Sequence, residues 1–368
     1  MEQAIADAAI GRAKDARCRR GRLRLTALRP MLAAATMLAL VLGPVLAPVG
    51  AAQAQPATQP FVQPIVQAEA SGVIRLGVGL QDDVYLAPVH AAERLGLFEE
   101  ANLAIRRSAL RGAEVSIQAL RAGQVDVISV SGADFALAAG NEPPGRIVFA
   151  NASGFHGWKI IVNQGSDLRT VQDLAHRRVG VSTVRSLAGM AASLAARSAQ
   201  TGFDIQPVGA GALIPMLRDN TLEAVAGSPL LGLREVVNGQ ARILHDIDTG
   251  AFLVSAMVAS KAMIDQRPDD LRKFLAATGA AIAYMQANAD WSVALLQEYA
   301  HLSDPALARR IHDVVIARLQ PGGEVAPAAL QGAIVLAAQA WNLPELAETS
   351  IDELFTNAFL APPQGPAP

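Results

Sequence analysis

From residue 73 the chain alternates short apolar runs with amphipathic stretches. Residues 73–79 read as a buried strand, 80–85 as a polar loop, and 87–98 as a helix whose apolar positions recur at helical spacing. The same order then returns. Residues 103–107 form a short edge-like strand and 113–122 a helix, and the near-continuous apolar run at 125–130 has the character of a parallel strand covered on both faces. Ser131 and Gly132 lead into a helix at 133–139, and a strand at 146–150 is expected to end in the polar loop 151–156. Polar loops thus follow three strands of one sheet, where an open α/β sheet holds its ligands.

A second series begins with a strand at 158–162. Strands at 178–182, 205–208, 224–226 and 243–247 alternate with helices at 186–200, 213–220 and 230–238. The run 252–258 repeats the apolar strand pattern, and everything after Lys261 is helical in period, with Pro268, Asp269 and Asp270 as a helix start. The strands near 158–162 and 252–258 bracket the second series. A chain that leaves one sheet, builds another and returns makes two αβ lobes joined by two crossings, an arrangement that can close about a hinge. The expected bounds are 73–157 for the first part of lobe one, 158–251 for lobe two with its hinge strand, and 252–360 for the return strand and helices that pack back on lobe one.

The ends change the picture of where this fold works. Seven arginines and Lys14 crowd residues 12–29, a run without charge spans 31–67, and Ala52-Gln53-Ala54 is an A-x-A cleavage pattern. Residues 1–54 read as an export signal cleaved near Ala54; Gly43, Pro44 and Pro48 interrupt the apolar stretch and argue against a permanent span. Arg19-Arg20 leaves both the twin-arginine and the general export route open. Cys18, the one cysteine, precedes the apolar run, so a chain cleaved there has no disulfide, thiolate metal site or cysteine nucleophile. The signal holds 8 of the 31 basic and 3 of the 33 acidic residues, which leaves 23 against 30. An acidic exported chain is a poor partner for nucleic acid. Residues 55–72 and 361–368, rich in proline, are expected to be unstructured.

Polar residues at strand ends are the candidate ligand contacts. Gln81, Asp82 and Tyr85 follow the first strand and can bond a polar head group; equally, Asp82 can cap the next helix and Tyr85 can be packing. Ser131 and Gly132 offer a hydroxyl and a backbone N–H at a helix start, with a plain N-cap as the alternative. Ser153, Phe155 and His156 lie at the first crossing, where Phe155 and Trp158 can instead be hinge packing. From lobe two, Ser182, Thr183, Arg185 and Ser186 stand between a strand and a long helix, and Ser228 precedes Pro229 at the start of another. Arg185 supplies either a fixed charge for an anion or a solvated surface side chain.

Enzyme motifs are missing. The chain has no H-E-x-x-H, G-x-S-x-G or P-loop pattern, Gly77-x-Gly79 lacks the third glycine of a dinucleotide turn, and the six histidines form no i, i+4 pair. No cofactor, metal site or catalytic residue is expected.

Four segments carry a resemblance: 86–98 with its Glu93-Arg94-Leu95-Gly96-Leu97-Phe98, 119–126 with Ala122-Gly123-Gln124-Val125-Asp126, 165–174 with Asp167-Leu168 and Asp173-Leu174, and 178–181. In this order, over about residues 73–345, the chain resembles the periplasmic solute-binding proteins of ABC importers of the nitrate, sulfonate, taurine and thiamine-precursor type. The resemblance implies an α/β type II periplasmic binding fold that captures a small polar or anionic solute between its lobes and delivers it to an inner-membrane ABC permease. In that family the stretch matching 182–186 supplies backbone and hydroxyl donors across the cleft. A monomer in the periplasm is expected. An exported enzyme of the same fold, acting on a pyrimidine-like or small organic substrate, is the alternative.

Overall fold

In the computed structural model the described residues are 72–79, 83–110, 112–139, 142–247, 250 and 252–360. The export signal, the linker up to residue 71, Gln81, Asp82 and the tail 361–368 lie outside them. Lobe one opens with β1 (Val73–Val78), α1 (Ala87–Arg94), α2 (Leu97–Glu100), β2 (Ala104–Ala109), α3 (Ala113–Arg121), β3 (Val127–Val130), α4 (Gly132–Ala139) and β4 (Gly145–Ser153). Lobe two follows with β5 (Lys159–Asn163), β6 (Arg178–Val181), α5 (Leu187–Ser198), β7 (Asp204–Pro207), α6 (Leu213–Arg218), β8 (Ala224–Gly227), α7 (Leu233–Val237) and β9 (Ala241–Asp246). The return consists of β10 (Leu253–Ser260) and the helices α8 (Lys261–Gln266), α9 (Pro268–Ala287), α10 (Ala289–Tyr299), α11 (Pro305–Val314) and α12 (Pro327–Trp341).

The two sheets share one plan. Lobe one has the order β2-β1-β3-β10-β4 and lobe two the order β7-β6-β8-β5-β9. In each, the first three strands are parallel and the fourth runs against both neighbours. The reversal follows from direction of travel: β5 and β10 each enter their sheet directly from the other lobe, so they start at the edge where the parallel strands finish. That edge therefore collects the ends of β3, β4, β6 and β8 and the starts of β5 and β10. The two crossings fall between β4 and β5 and between β9 and β10.

Burial follows strand position. Every residue of β3 and of β10 is buried, whereas the outer strand β2 exposes most of its length and carries Arg106 and Arg107, charges that discourage edge pairing. The C-terminal helices cover lobe one: α9 packs on α1 and α2, with the Phe98 and Phe274 rings stacked 5.5 Å apart, and α12 lies against α4 and β10. Two of these helices also reach lobe two, α12 touching α5 and α11 touching α7.

Three expectations need correction. The helical period after Lys261 is broken at residues 319–326, where Pro321, Gly322 and Gly323 cannot continue a helix; Gly323 has φ +63°, and a Cβ there would meet the Phe149 ring at 2.1 Å. The strand expected to stop at residue 150 continues to Ser153, because β10 keeps pairing with it through register shifts at Ser255 and Leu253. The helix expected at 230–238 is the shorter α7, since Gly232 takes a left-handed φ of +62° just before it.

At the pole of lobe one away from the crossings, charge staples the chain together. Asp126, at the foot of β3, accepts from the Arg75 backbone N–H at 2.8 Å and from its guanidinium at 2.6 Å, and lies 3.5 Å from Arg267. Arg267 in turn bonds Asp270 at 2.9 Å, and Asp270 accepts from Gly72 N at 3.1 Å. With Asp126 only 5% exposed, removing its carboxylate takes from Arg75 its carboxylate partner and from Arg267 one of two. Asp126→Ala is expected to cost about 3 kcal/mol of stability, read as a Tm lowered by several degrees, and Asp126→Asn less; an unchanged Tm in both would show that the network carries no stability.

Candidate functional site

The crossings make the floor of the site. Gly154 N donates to Phe252 O at 2.6 Å and Ile247 N to Trp158 O at 2.8 Å, so the two segments are bonded to each other. Phe155 is fully buried between them, its ring 4.4 Å from Phe252 and 5.4 Å from Trp158 in an edge-on contact. It lies in the packing of the hinge and has no exposed surface to offer a solute. Gly157, at φ +78°, sits where a Cβ would press on Val314 of α11 at 2.6 Å and on Pro229 at 3.2 Å, which fixes glycine at this step. His156, beside it, is half-buried.

Tyr85 ties lobe one to the first crossing. Its phenolic oxygen accepts from Trp158 Nε1 at 3.0 Å, both residues being 7% exposed. Burial pushes the Tyr85 pKa up, with the Trp158 bond acting in the opposite direction, so the group stays a neutral phenol. Asp83 holds this turn from both sides: its carboxylate accepts from Tyr85 N at 3.1 Å and its carbonyl from the Tyr299 hydroxyl at 2.9 Å.

Ser131 performs a capping role. Its Oγ accepts from Asp134 N at 3.0 Å and donates to Asp134 Oδ2 at 2.6 Å, a reciprocal cap on the first turn of α4, with Gly132 buried against Leu330 and Leu253. Burial pushes the Asp134 carboxyl up to about 6, against the pull of the Ser131 bond. Ser186 does the same for α5 in lobe two: it accepts from Gly189 N at 3.1 Å and from Ser182 Oγ at 3.0 Å, and donates to Thr183 O at 2.7 Å. Thr183 and Arg185 stand exposed on that turn, while Ser182 is half-buried.

Lys159 is the functional-edge residue that the strand pattern concealed. It opens β5, is 4% exposed, and gives its ammonium protons to three carbonyls: Pro229 at 2.8 Å, Ser228 at 3.1 Å and Gly157 at 3.4 Å. Burial pulls its pKa down to about 8, opposed by Asp246, its register partner on β9, and reinforced by Arg310. Ser228, half-buried, is thus held through its backbone. Asn151, Ser129, Ser255 and Gln320 form a further polar group at the edge of lobe one that spacing along the chain did not bring together. Tyr85, Ser131, Gly132, Ser153, His156, Ser182, Thr183, Arg185, Ser186 and Ser228 all lie at or beside the edge that collects the strand ends.

An open depression of about 460 Å³ lies elsewhere, at the opposite end of lobe two, lined by Asn163, Ser166, Asp167, Arg177, Asn220 and Glu223. It carries charges of both signs. Among the described residues no cluster of histidine and acidic side chains is arranged to hold a metal ion, and no helix is long and apolar enough to cross a membrane.

Residues 83–291, a stretch from the first turn of lobe one through lobe two and into α10, match the model of the NMT1/THI5 like family. The chain belongs to that family. Solved structures of similar fold include the periplasmic aliphatic sulphonate binding protein SsuA of Escherichia coli, at 18% identity and TM-score 0.60 over 80% of this chain and 94% of that one. The alkanesulfonate-binding protein SsuA of Xanthomonas axonopodis pv. citri, bound to MOPS, gives 17% identity and 0.61 over 77% and 98%. A Candida albicans protein described as having the generic periplasmic binding protein fold gives 16% and 0.63 over 77% and 96%. No curated protein sequence matches. The fold of this NMT1/THI5-like chain is therefore the two-lobed α/β periplasmic binding fold.

Two predictions follow from the geometry. Tyr85→Phe leaves the buried Trp158 N–H without its acceptor and is expected to cost about 1–3 kcal/mol; adding Trp158→Phe should not add a second loss of that size, and fully additive losses in denaturant titrations would contradict the coupling. Asp134, whose pKa is raised from 3.8 to about 6, binds protons more tightly in the folded state, so its charged form penalises folding as pH rises through that window. Asp134→Asn should therefore raise Tm at pH 7.5, with the gain disappearing as pH falls below about 4; a gain that does not change with pH would contradict this origin.

Proposed function

We propose that this chain is the extracytoplasmic solute-binding component of an ABC importer, which captures a small polar or anionic solute between its lobes and passes it to an inner-membrane permease. The observation that carries the reading is the pair of mutually bonded crossings between two sheets of one plan, with polar strand ends from both lobes gathered along them. A solute that touches both lobes favours the closed arrangement through the contacts it makes only there. Family membership and a fold shared with sulfonate-binding periplasmic proteins support it. So does the arginine-rich, A-x-A-ending start of the sequence, which has the pattern of an export signal.

On this reading lobe two meets the solute through the turn at 182–186 and through Ser228. Calorimetry against inorganic anions, alkanesulfonates, amino acids and pyrimidines is expected to show one-to-one binding of at least one class, with the solute recovered unchanged after long incubation. Ser182→Ala or Ser228→Ala should weaken that binding about 10-fold, the scale of one lost hydrogen bond to a charged group. Binding to no member of the panel would overturn the proposal, turnover would replace it with an enzyme, and full affinity in both variants would remove lobe two from the site.

A further inference from the structure

The polar group at the edge of lobe one is built in a way that the capping serines are not. Asn151 lies in β4, 1% exposed, and its Nδ2 donates to Ser255 Oγ at 3.1 Å; Ser255 Oγ is in turn 3.4 Å from Ser129 Oγ. These three residues come from β4, β10 and β3, which are neighbours in the sheet, so they form a polar row across it just inside the cleft edge. The loop at 319–323 closes the row from above. Gln320 N donates to Asn151 O at 3.1 Å and Ala150 N to Gly323 O at 2.8 Å, which fastens the loop along β4. The Gln320 side chain then reaches Ser153 Oγ with its Nε2 at 3.4 Å.

Both amides are thus engaged at the nitrogen end and open at the oxygen end. Asn151 Oδ1 and Gln320 Oε1 are buried and have no hydrogen-bond partner among the described residues. Buried amide oxygens without donors are unfavourable and rare in folded proteins, and two of them in one hydrogen-bonded group call for a donor from outside the chain. The row opens toward the crossing through Ser153 and Gln320, which are only half-buried.

The charge around the row selects what can fill it. Ser129, Asn151, Ser153, Ser255 and Gln320 are neutral, and the buried cation of the crossing region, Lys159, spends its protons on three carbonyls. The Ser131 cap on the same lobe edge carries a carboxyl, Asp134. An anionic head group would meet two acceptors here with no charged partner among these residues; a nitrogen bearing N–H groups supplies the donor that such oxygens lack.

We propose that Asn151 and Gln320 are the specificity-determining end of the cleft in lobe one, and that they receive a hydrogen-bond-donating nitrogen, an amine, amide or amidine, carried by the solute. The assignment rests on the solute-binding reading above and adds to it the chemistry of one end of the cargo. An anionic end, where the cargo has one, then belongs to lobe two.

The test is calorimetry on the intact exported protein with 3-aminopropanesulfonate and butanesulfonate, which differ by an ammonium in place of a methyl group. The amino probe is expected to bind at least 10-fold tighter. Asn151→Leu and Gln320→Leu should each bring the two probes to within about threefold of one another, a change in the ratio that a general loss of binding would not produce. Asn151→Asp, which keeps an acceptor in place, should retain the preference. Equal affinities in the wild type, or a preference that survives both leucine variants, would overturn the assignment and mean that ordered water alone fills the row. If neither probe binds, the same comparison is made by thermal shift across the wider panel. A response to amine-free anions alone would overturn this assignment and leave the importer reading standing; silence to every compound would remove both.

Discussion

Two backbone hydrogen bonds between the crossings, Gly154 to Phe252 and Ile247 to Trp158, are the constraint on which the molecule turns. They hold Gly154 to Phe252 and Trp158 to Ile247, so that two sheets built from distant parts of the chain meet along one line. The rest follows from geometry. A strand that enters a sheet from this line must run away from it, which is why β5 and β10 oppose their neighbours and why every parallel strand delivers its last residue back to the same place. The Phe155, Phe252 and Trp158 rings fill the space between the crossings and exclude water from the bonds that join them.

Polar groups are distributed along this axis in two different ways. At the far pole of lobe one, Arg75, Asp126, Arg267 and Asp270 are mutually paired, and the result is a staple that fixes β1, β3 and the start of α9. Near the crossings the pairing is of another kind: Lys159 is bonded to carbonyls instead of a carboxylate, Asp134 to a serine at a helix start, Tyr85 to an indole N–H, and the amide oxygens of Asn151 and Gln320 have no partner among the described residues. Full pairing gives rigidity; incomplete pairing leaves interaction energy for a guest.

Much of this was legible in the sequence because burial imposes period. The continuous apolar runs at 125–130 and 252–258 could only be inner strands, and the repeat of strand, loop and helix on both sides of residue 158 announced two sheets. The Ser131 cap was visible as serine followed three residues later by aspartate. What stayed hidden needed register. Asn151 seemed to lie in a loop because Asn and Ser there resemble a strand terminus, and only the bulged pairing with β10 draws it into the sheet. Gln320 is 169 residues away from it, in a loop that the helical period had smoothed over. Lys159 reads only as part of a strand, since nothing in the strand pattern reveals that the Ser228 and Pro229 carbonyls, some 70 residues on, join Gly157 O around its ammonium.

The helix α12 has a mechanical consequence. It lies against α4 on one side and α5 on the other, with Arg197 Nη2 donating to Gln339 O at 2.6 Å, and both α5 and α12 bury mainly alanine. Methyl surfaces have shallow ridges, so such helices glide past each other more readily than they interlock. A third tether set apart from the crossings restrains the lobes like a bolt: separating them widely would first have to break the seat of α12 on α5, whereas a small sliding displacement would keep it.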